Sequence, residues 1–261
     1  SDFVRIVEEC RRRFPISTDL FDAKTLTITF DDGYRNQYSS AFKTLQKMGV
    51  PAYVFVSGDV LNGEGLLIDR LLHWVSEAPI EYIPNGDRFG YWVKEIWPRF
   101  RADAKAKGET VFAELNAKYP YEKVLAALPE AYRRERMGPI SPEELDEMRS
   151  AGWKVGWHTK SHYPLAQQEE GALSEELLSP PEYRDVCFSY PYGNPVEVGD
   201  PAIRAVEKLG YPCAISNTNE AKPSKYFLPR MTLPANKYLL HLELSGLKYF
   251  LKYRKLLPVY G

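Results

Sequence analysis

Short apolar runs alternate with helical stretches along most of this chain, and that rhythm admits few folds. Residues 26–30 are an apolar run, 37–48 read as a helix, and 52–56 are a second apolar run. Ser141-Pro142-Glu143-Glu144 has the form of a helix start: a serine cap, proline at the first helical position and a glutamate three residues on. That helix runs to Gly152, and Trp153-Lys154-Val155-Gly156-Trp157 follows as a strand. Residues 186–190 read as another strand, Asp200-Pro201 opens a helix ending near Gly210, and 213–216 and 226–233 supply later strands. Such alternation favours a parallel sheet or barrel, whose sites lie at the C-terminal strand ends.

One stretch breaks the rhythm. Residues 66–137 are rich in aromatic and charged side chains, among them Trp74, Trp92, Trp97, Phe100 and Tyr121, and read as two to four helices with loops. We expect a single domain over residues 1–261 with this stretch as a helical insertion at one edge. Its aromatics either shape a cleft for a sugar ring or form a small core of their own.

Polar residues cluster where the apolar runs end. Thr29-Phe30-Asp31-Asp32-Gly33 places two adjacent carboxylates after residues 26–30. Like charges this close raise each other's proton affinity, so both stay ionised only beside a cation or other compensation. His158-Thr159-Lys160-Ser161-His162 follows the Trp153 strand. Two imidazoles four residues apart can face one ion, and Asp32 would complete a two-histidine, one-carboxylate set with open positions for water and substrate. Two of the chain's four histidines fall in this segment. The third cluster is Phe188-Ser189-Tyr190-Pro191-Tyr192-Gly193, whose fixed turn can present backbone N–H groups to an oxyanion. Taken alone, the first segment reads as an ordinary turn, the second as two surface histidines and the third as a turn with two packed tyrosines.

Together and in this order, the three segments resemble the motifs of the polysaccharide deacetylase family (carbohydrate esterase family 4). The third motif and the helical insertion are most similar to the branch serving bacterial surface polysaccharide and exopolysaccharide biosynthesis. The resemblance spans residues 24–234, with a poorly matched stretch from 66 to about 140. It implies an α/β fold, a distorted (β/α) barrel of about seven parallel strands. It also implies hydrolysis of an N-acetyl group on an amino sugar, with a divalent metal. Zinc is the expected ion, ahead of cobalt, nickel or manganese. By the same resemblance Asp31 is the catalytic base, Asp32, His158 and His162 hold the metal, and the Tyr192 N–H stabilises the oxyanion. Thr159 or Ser161 fixes the loop geometry.

Two positions depart from the pattern. Ser189 stands where many relatives have an arginine that orients the base, and Arg230, at the end of the 226–233 strand, is the expected substitute. The acid for the leaving amine has no clear owner. His241 lies in a run whose apolar residues at 240, 244, 247 and 251 follow helical spacing, and His73 sits on a partly apolar helix. Neither is assigned.

The rest of the sequence narrows partners. A net charge of −1 gives no general reason to bind nucleic acid. Three scattered cysteines, Cys10, Cys187 and Cys213, fit reduced thiols and a cytoplasmic setting. No stretch reaches the roughly 20 apolar residues of a transmembrane helix. The terminal helix, with Lys248, Lys252, Arg254 and Lys255 beside aromatics, can contact a membrane surface or pack on the barrel. Beside the N-deacetylase stand two alternatives: an O-deacetylase, deformylase or amidase acting on a small substrate, and a glycan-binding barrel without catalysis.

Overall fold

Strands β1 (Thr29–Phe30), β2 (Tyr53–Val56) and β3 (Lys154–Trp157) pair in parallel in that order, with Thr29 opposite Tyr53 and Tyr53 opposite Lys154. Strands β4 (Phe188–Ser189) and β5 (Ala214–Ile215) form a second parallel pair. The computed structural model describes residues 2–22, 24–218 and 224–244.

Burial explains why β2 is central. All four of its residues are buried, as expected of a parallel strand covered on both faces. Val54 and Val56 pack with Phe42, Leu45, Met148 and Trp153 under the flanking helices. Tyr53 and Phe55 point the other way, into a cluster with Cys187, Cys213, Ile215 and Leu228. That second cluster draws residues from both sheets. At Gly156 of β3 a Cβ would lie 2.5 Å from the Cys187 carbonyl oxygen, so only glycine lets β3 approach the chain entering β4.

The described residues hold five strands rather than seven. Residues 26–30 contribute only Thr29–Phe30 as strand, and Leu26 forms an isolated parallel bridge with Ile16. In the expected strand 226–233, Leu228 bridges Ile215 in parallel and the pairing ends there. Pro229 follows at once, and proline has no N–H to donate to a ladder.

Helices cover the connections. The expected helix at 37–48 is present as a wide turn over Gln37–Phe42 continued by Lys43–Lys47. Helix Pro142–Ser150 begins with the predicted reciprocal cap: the Glu144 N–H donates to Ser141 Oγ (3.2 Å) and the Ser141 N–H to Glu144 Oε2 (3.0 Å). The helix expected from Asp200 starts earlier, at Pro195, because the Asn194 side chain caps it, and it kinks at Gly199 before ending at Lys208.

Between β2 and β3 lie several helices, the longest being Leu67–Glu77. They enclose their own cluster, with Leu67, Leu71, Trp74, Phe100, Val111 and Val124 buried in it. Most of the expected aromatics therefore do core work, although Phe89 is exposed. Near the chain end, Lys237–Leu244 is helical, and Leu240 and Leu244 pack with Cys10 of the first helix, Asp2–Arg13. The remainder of that predicted terminal helix, including Lys248, Lys252, Arg254 and Lys255, lies outside the described residues, as does the His241 side chain. No helix among the described residues is long and apolar enough to cross a membrane. Cys10, Cys187 and Cys213 are all free and buried.

Candidate active site

The chain leaves β1 at Phe30 and turns sharply. Asp32 adopts φ 82° and Gly33 φ 90°, and a Cβ at Gly33 would come within 3.0 Å of Val56 Cγ1. Ser57, just past β2, donates its N–H to the Asp32 carbonyl (3.0 Å) and its hydroxyl to the His158 carbonyl (3.0 Å). Three successive strand ends are thereby stitched together. Thr159, His162 and Tyr192 also have positive φ, at 67, 58 and 58°. Left-handed backbone costs a side-chain-bearing residue about 1–3 kcal/mol, and such strain gathers where geometry serves function.

Asp32, His158 and His162 each offer a ligand atom, all within 4.8 Å of one another. Asp32 Oδ1 lies 3.7 Å from His158 Nε2 and 3.5 Å from His162 Nε2. Metal–ligand bonds of about 2.0–2.2 Å in a tetrahedron set neighbouring ligand atoms about 3.3–3.6 Å apart. His158 is oriented for the task. Its Nδ1 lies 2.7 Å from the Ser189 carbonyl oxygen, which only accepts, so the proton sits on Nδ1 and Nε2 keeps its lone pair. The His162 loop is fixed by its N–H donating to Thr159 Oγ1 (2.9 Å) and by the Ser161 N–H donating to buried Glu176 (2.9 Å).

The electrostatics favour a cation. Burial lowers the affinity of both imidazoles for protons, His162 to a pKa of about 3, which leaves neutral rings fit to bind a metal. Burial also drives the Asp32 carboxyl well above the carboxylate range, assisted by the charges of Asp31 and Asp69. Two neutral imidazoles cannot compensate that carboxylate, whereas a divalent cation can. The donor set therefore fits a divalent metal.

Asp31 experiences the opposite field. Burial works against its charge, but Arg230 overcomes that and holds the carboxyl well below its usual range. Arg230 Nη1 donates to Asp31 Oδ1 (2.8 Å), Nη2 to Oδ2 (2.5 Å), and Nη1 also to Thr29 Oγ1 (3.0 Å). Ser189 Oγ adds a longer hydrogen bond to Asp31 Oδ1 (3.3 Å). Ser189 thus touches both partners: its carbonyl orients His158 and its hydroxyl meets Asp31. Sequence reasoning saw in this residue only a missing arginine.

Tyr192 stands beside the triad, its ring centroid 4.8 Å from that of His162 and 5.5 Å from that of Trp97. Its N–H makes no hydrogen bond among the described residues. The turn is close-packed: a Cβ on Gly193 would lie 2.2 Å from the Asn217 nitrogen. All six expected site residues therefore converge. His73 does not join them; its ring nitrogens lie 3.4 Å from the hydroxyls of Tyr121 and Tyr132.

A sequence profile described as polysaccharide deacetylase matches residues 19–214, well over half of the chain. The chain belongs to the polysaccharide deacetylase family. As a member it is a hydrolase that deacetylates a glycan. Comparison of this deacetylase with curated proteins finds no match. Among solved structures it is similar to the Streptococcus pyogenes deacetylase PplD in complex with acetate, with 12% identity and a TM-score of 0.56, over 94% of this chain and 84% of that one. IcaB from Ammonifex degensii is similar at 15% identity and a TM-score of 0.52, over 94% of this chain and 88% of that one. At such identities the likeness is one of fold.

Proposed function

We propose that this deacetylase removes the N-acetyl group from an N-acetylglucosamine-like sugar in a glycan of the surface-polysaccharide or exopolysaccharide kind, using a divalent metal, zinc first. The observation that carries this reading is the division of the acidic pair. Asp32 shares a cluster with His158 and His162, while Asp31, one residue away, is clamped by Arg230 and kept ionised. Ligand set and base are then separate groups at one strand end.

A cation held by Asp32, His158 and His162 supplies Lewis acidity toward the acetyl carbonyl and lowers the pKa of water. Asp31 accepts a proton from the attacking water, and Arg230 keeps it able to do so near neutral pH. The Tyr192 N–H donates to the oxygen that gains charge as the carbonyl carbon becomes tetrahedral. Collapse breaks the C–N bond, and the amine takes up a proton on leaving, which balances the one that Asp31 removed from the water.

The fold is consistent with a distorted barrel whose two sheets share the Tyr53, Phe55, Cys187, Ile215 and Leu228 interior. We read the 66–137 helices as an insertion within one domain, since they enclose a cluster of their own.

The test pairs elemental analysis with acetate release from N-acetylated and O-acetylated sugars, for wild type and Asp31→Asn. A variant that keeps the metal and loses N-deacetylation supports the reading; equal activity overturns the base assignment. Faster release from O-acetyl sugars would instead favour the ester-hydrolase alternative.

A further inference from the structure

Helix Trp97–Ala102 belongs to the insertion between β2 and β3, yet two of its side chains reach the segments that carry Tyr192 and His162. Trp97 and Arg101 are four residues apart, so both leave the same side of the helix. The Trp97 ring meets Tyr192 edge to face at 5.5 Å, with 61° between the planes, and stacks on Phe100 at 5.9 Å. Tyr192 meets His162 in the same way, at 4.8 Å and 61°. Its ring therefore packs with the cluster of the insertion, beside Phe100 and Tyr163, rather than with the cluster beneath the strands. Phe100 in turn meets Tyr163, the residue after His162, at 6.3 Å.

Arg101 holds the backbone of the same two segments. Its Nε lies 2.8 Å from Glu197 Oε1, in a side chain only 6% exposed. The Glu197 carbonyl accepts from the Leu165 and Ala166 N–H groups, at 2.7 and 2.8 Å, and the Glu197 N–H donates to Asn194 Oδ1 (3.2 Å). Glu197 thus ties the stretch after His162 to the stretch after Tyr192, and the insertion grips it through Arg101.

The Tyr192 turn needs such support. Tyr192 and Gly193 are consecutive left-handed residues, with φ 58 and 64°, and a tyrosine keeps that conformation only where its surroundings impose it. The Tyr192 hydroxyl is buried and makes no hydrogen bond among the described residues, so no polar contact at the ring tip fixes the side chain. Ring packing on Trp97 and His162 is what remains. A shift of about 1 Å in a reacting geometry can cost about 10²-fold in rate, so the anchor of this turn bears on turnover.

We propose that Trp97 and Arg101 are positioning residues for the hydrolysis: they hold the Tyr192 turn in the left-handed form that aims its N–H at the developing oxyanion. The insertion is then part of the catalytic apparatus. This rests on the deacetylase reading above and on the role of Tyr192 in it. An oxyanion donor is worth about 10²–10³ in kcat, and a displaced donor forfeits part of that. Since the contact acts only as charge develops, kcat and kcat/KM should fall together with KM kept.

The experiment measures acetate release from an N-acetylglucosamine tetrasaccharide, and the rise in melting temperature on adding zinc, for wild type, Trp97→Ala, Trp97→Phe and Arg101→Gln. Trp97→Ala should lower kcat at least tenfold and Arg101→Gln at least threefold, each with KM changed less than twofold and the zinc-induced rise retained. Trp97→Phe, which keeps a ring against Tyr192, should recover at least half of the wild-type kcat. Unchanged kcat overturns the proposal, as does a rise in KM with kcat kept. Loss of the zinc-induced rise together with kcat marks a merely structural role and overturns it as well. If Trp97→Ala does not fold, Arg101→Gln decides, since that side chain is 42% exposed. If wild type releases acetate from no N-acetylated sugar, the deacetylase reading fails, and amide hydrogen exchange decides the anchoring on its own. Exchange at Leu165, Ala166 and Asn217 at least fivefold faster in Arg101→Gln, with the β2 amides unchanged, supports the anchor; exchange equal to wild type overturns it.

Discussion

Arg230 grips Asp31 with both of its terminal nitrogens, at 2.8 and 2.5 Å, across 199 residues of sequence. A bidentate guanidinium fixes the orientation of a carboxylate as well as its charge. It also explains how two neighbouring aspartates behave as unlike groups.

The first prediction concerns pH. With its carboxyl held below the usual range, Asp31 stays ionised as pH falls from 7 to 5, so its protonation does not set the acid limb of kcat/KM in that window. In Arg230→Ala, burial is no longer opposed, the Asp31 pKa rises, and the limb should move to higher pH with a fall in rate. Asp31→Asn should lower kcat by about 10²–10⁴-fold, the usual contribution of a positioned base. A pH–rate profile for wild type and Arg230→Ala checks the sign; coincident acid limbs would remove Arg230 from the mechanism.

The same ion pair bears on stability. Because the folded pKa of Asp31 is depressed, its contribution is fully present above the unfolded value of about 3.9 and is lost as pH falls further. Arg230→Ala should therefore flatten the acid side of the stability curve, measured by urea unfolding between pH 3 and 7. Breaking a fully buried pair costs about 3–5 kcal/mol. With Asp31 about a quarter exposed, at 24%, the loss should fall below that range.

Metal binding gives a readout independent of turnover. Zinc at about 100 times its Kd should stabilise the wild-type fold by about 2.7 kcal/mol. That increment should vanish in Asp32→Ala and His162→Ala while Asp31→Asn retains it. A chelator should abolish activity, with recovery on returning the metal. Equal thermal shifts in all four proteins would place the ion elsewhere.

Two glycines test the packing of the site. Gly193→Ala introduces a Cβ 2.2 Å from the Asn217 nitrogen at φ 64°, and should reduce both melting temperature and kcat. Gly156→Ala brings a Cβ to 2.5 Å from the Cys187 carbonyl oxygen, and overpacking of this kind costs about 1–3 kcal/mol. Calorimetry and acetate release on the same preparations separate the two effects.

Ser141→Ala is the control. It removes one half of the cap of Pro142–Ser150, away from the triad, and should cost about 1 kcal/mol with kcat unchanged.

Much of this was legible in the chain. The acidic turn and the Tyr192 turn were readable because their strand ends break into Gly or Pro, and the paired histidines by their spacing of four just past a strand. The Ser141 cap was equally readable, being a local pattern whose partners lie three residues apart. Other features carried no such signal. Nothing near Ser189 in sequence shows that its carbonyl sets the His158 tautomer. The early start of the Pro195 helix depended on an Asn194 cap that reads as part of a turn. The 226–233 strand shrank to isolated bridges at Phe227 and Leu228, and Pro229 denies the ladder its next donor.

The amino-acid sequence by itself determined the residue types, their order and the strand ends that carry them, since alternation and turn chemistry act over a few neighbours. The resemblance already gave the two aspartates unlike roles, and only the tertiary structure shows the unlike surroundings that fit them. That outcome depends on Arg230 arriving beside Asp31 while the two imidazoles arrive beside Asp32, and electrostatic roles in a buried site follow distances through space rather than along the chain.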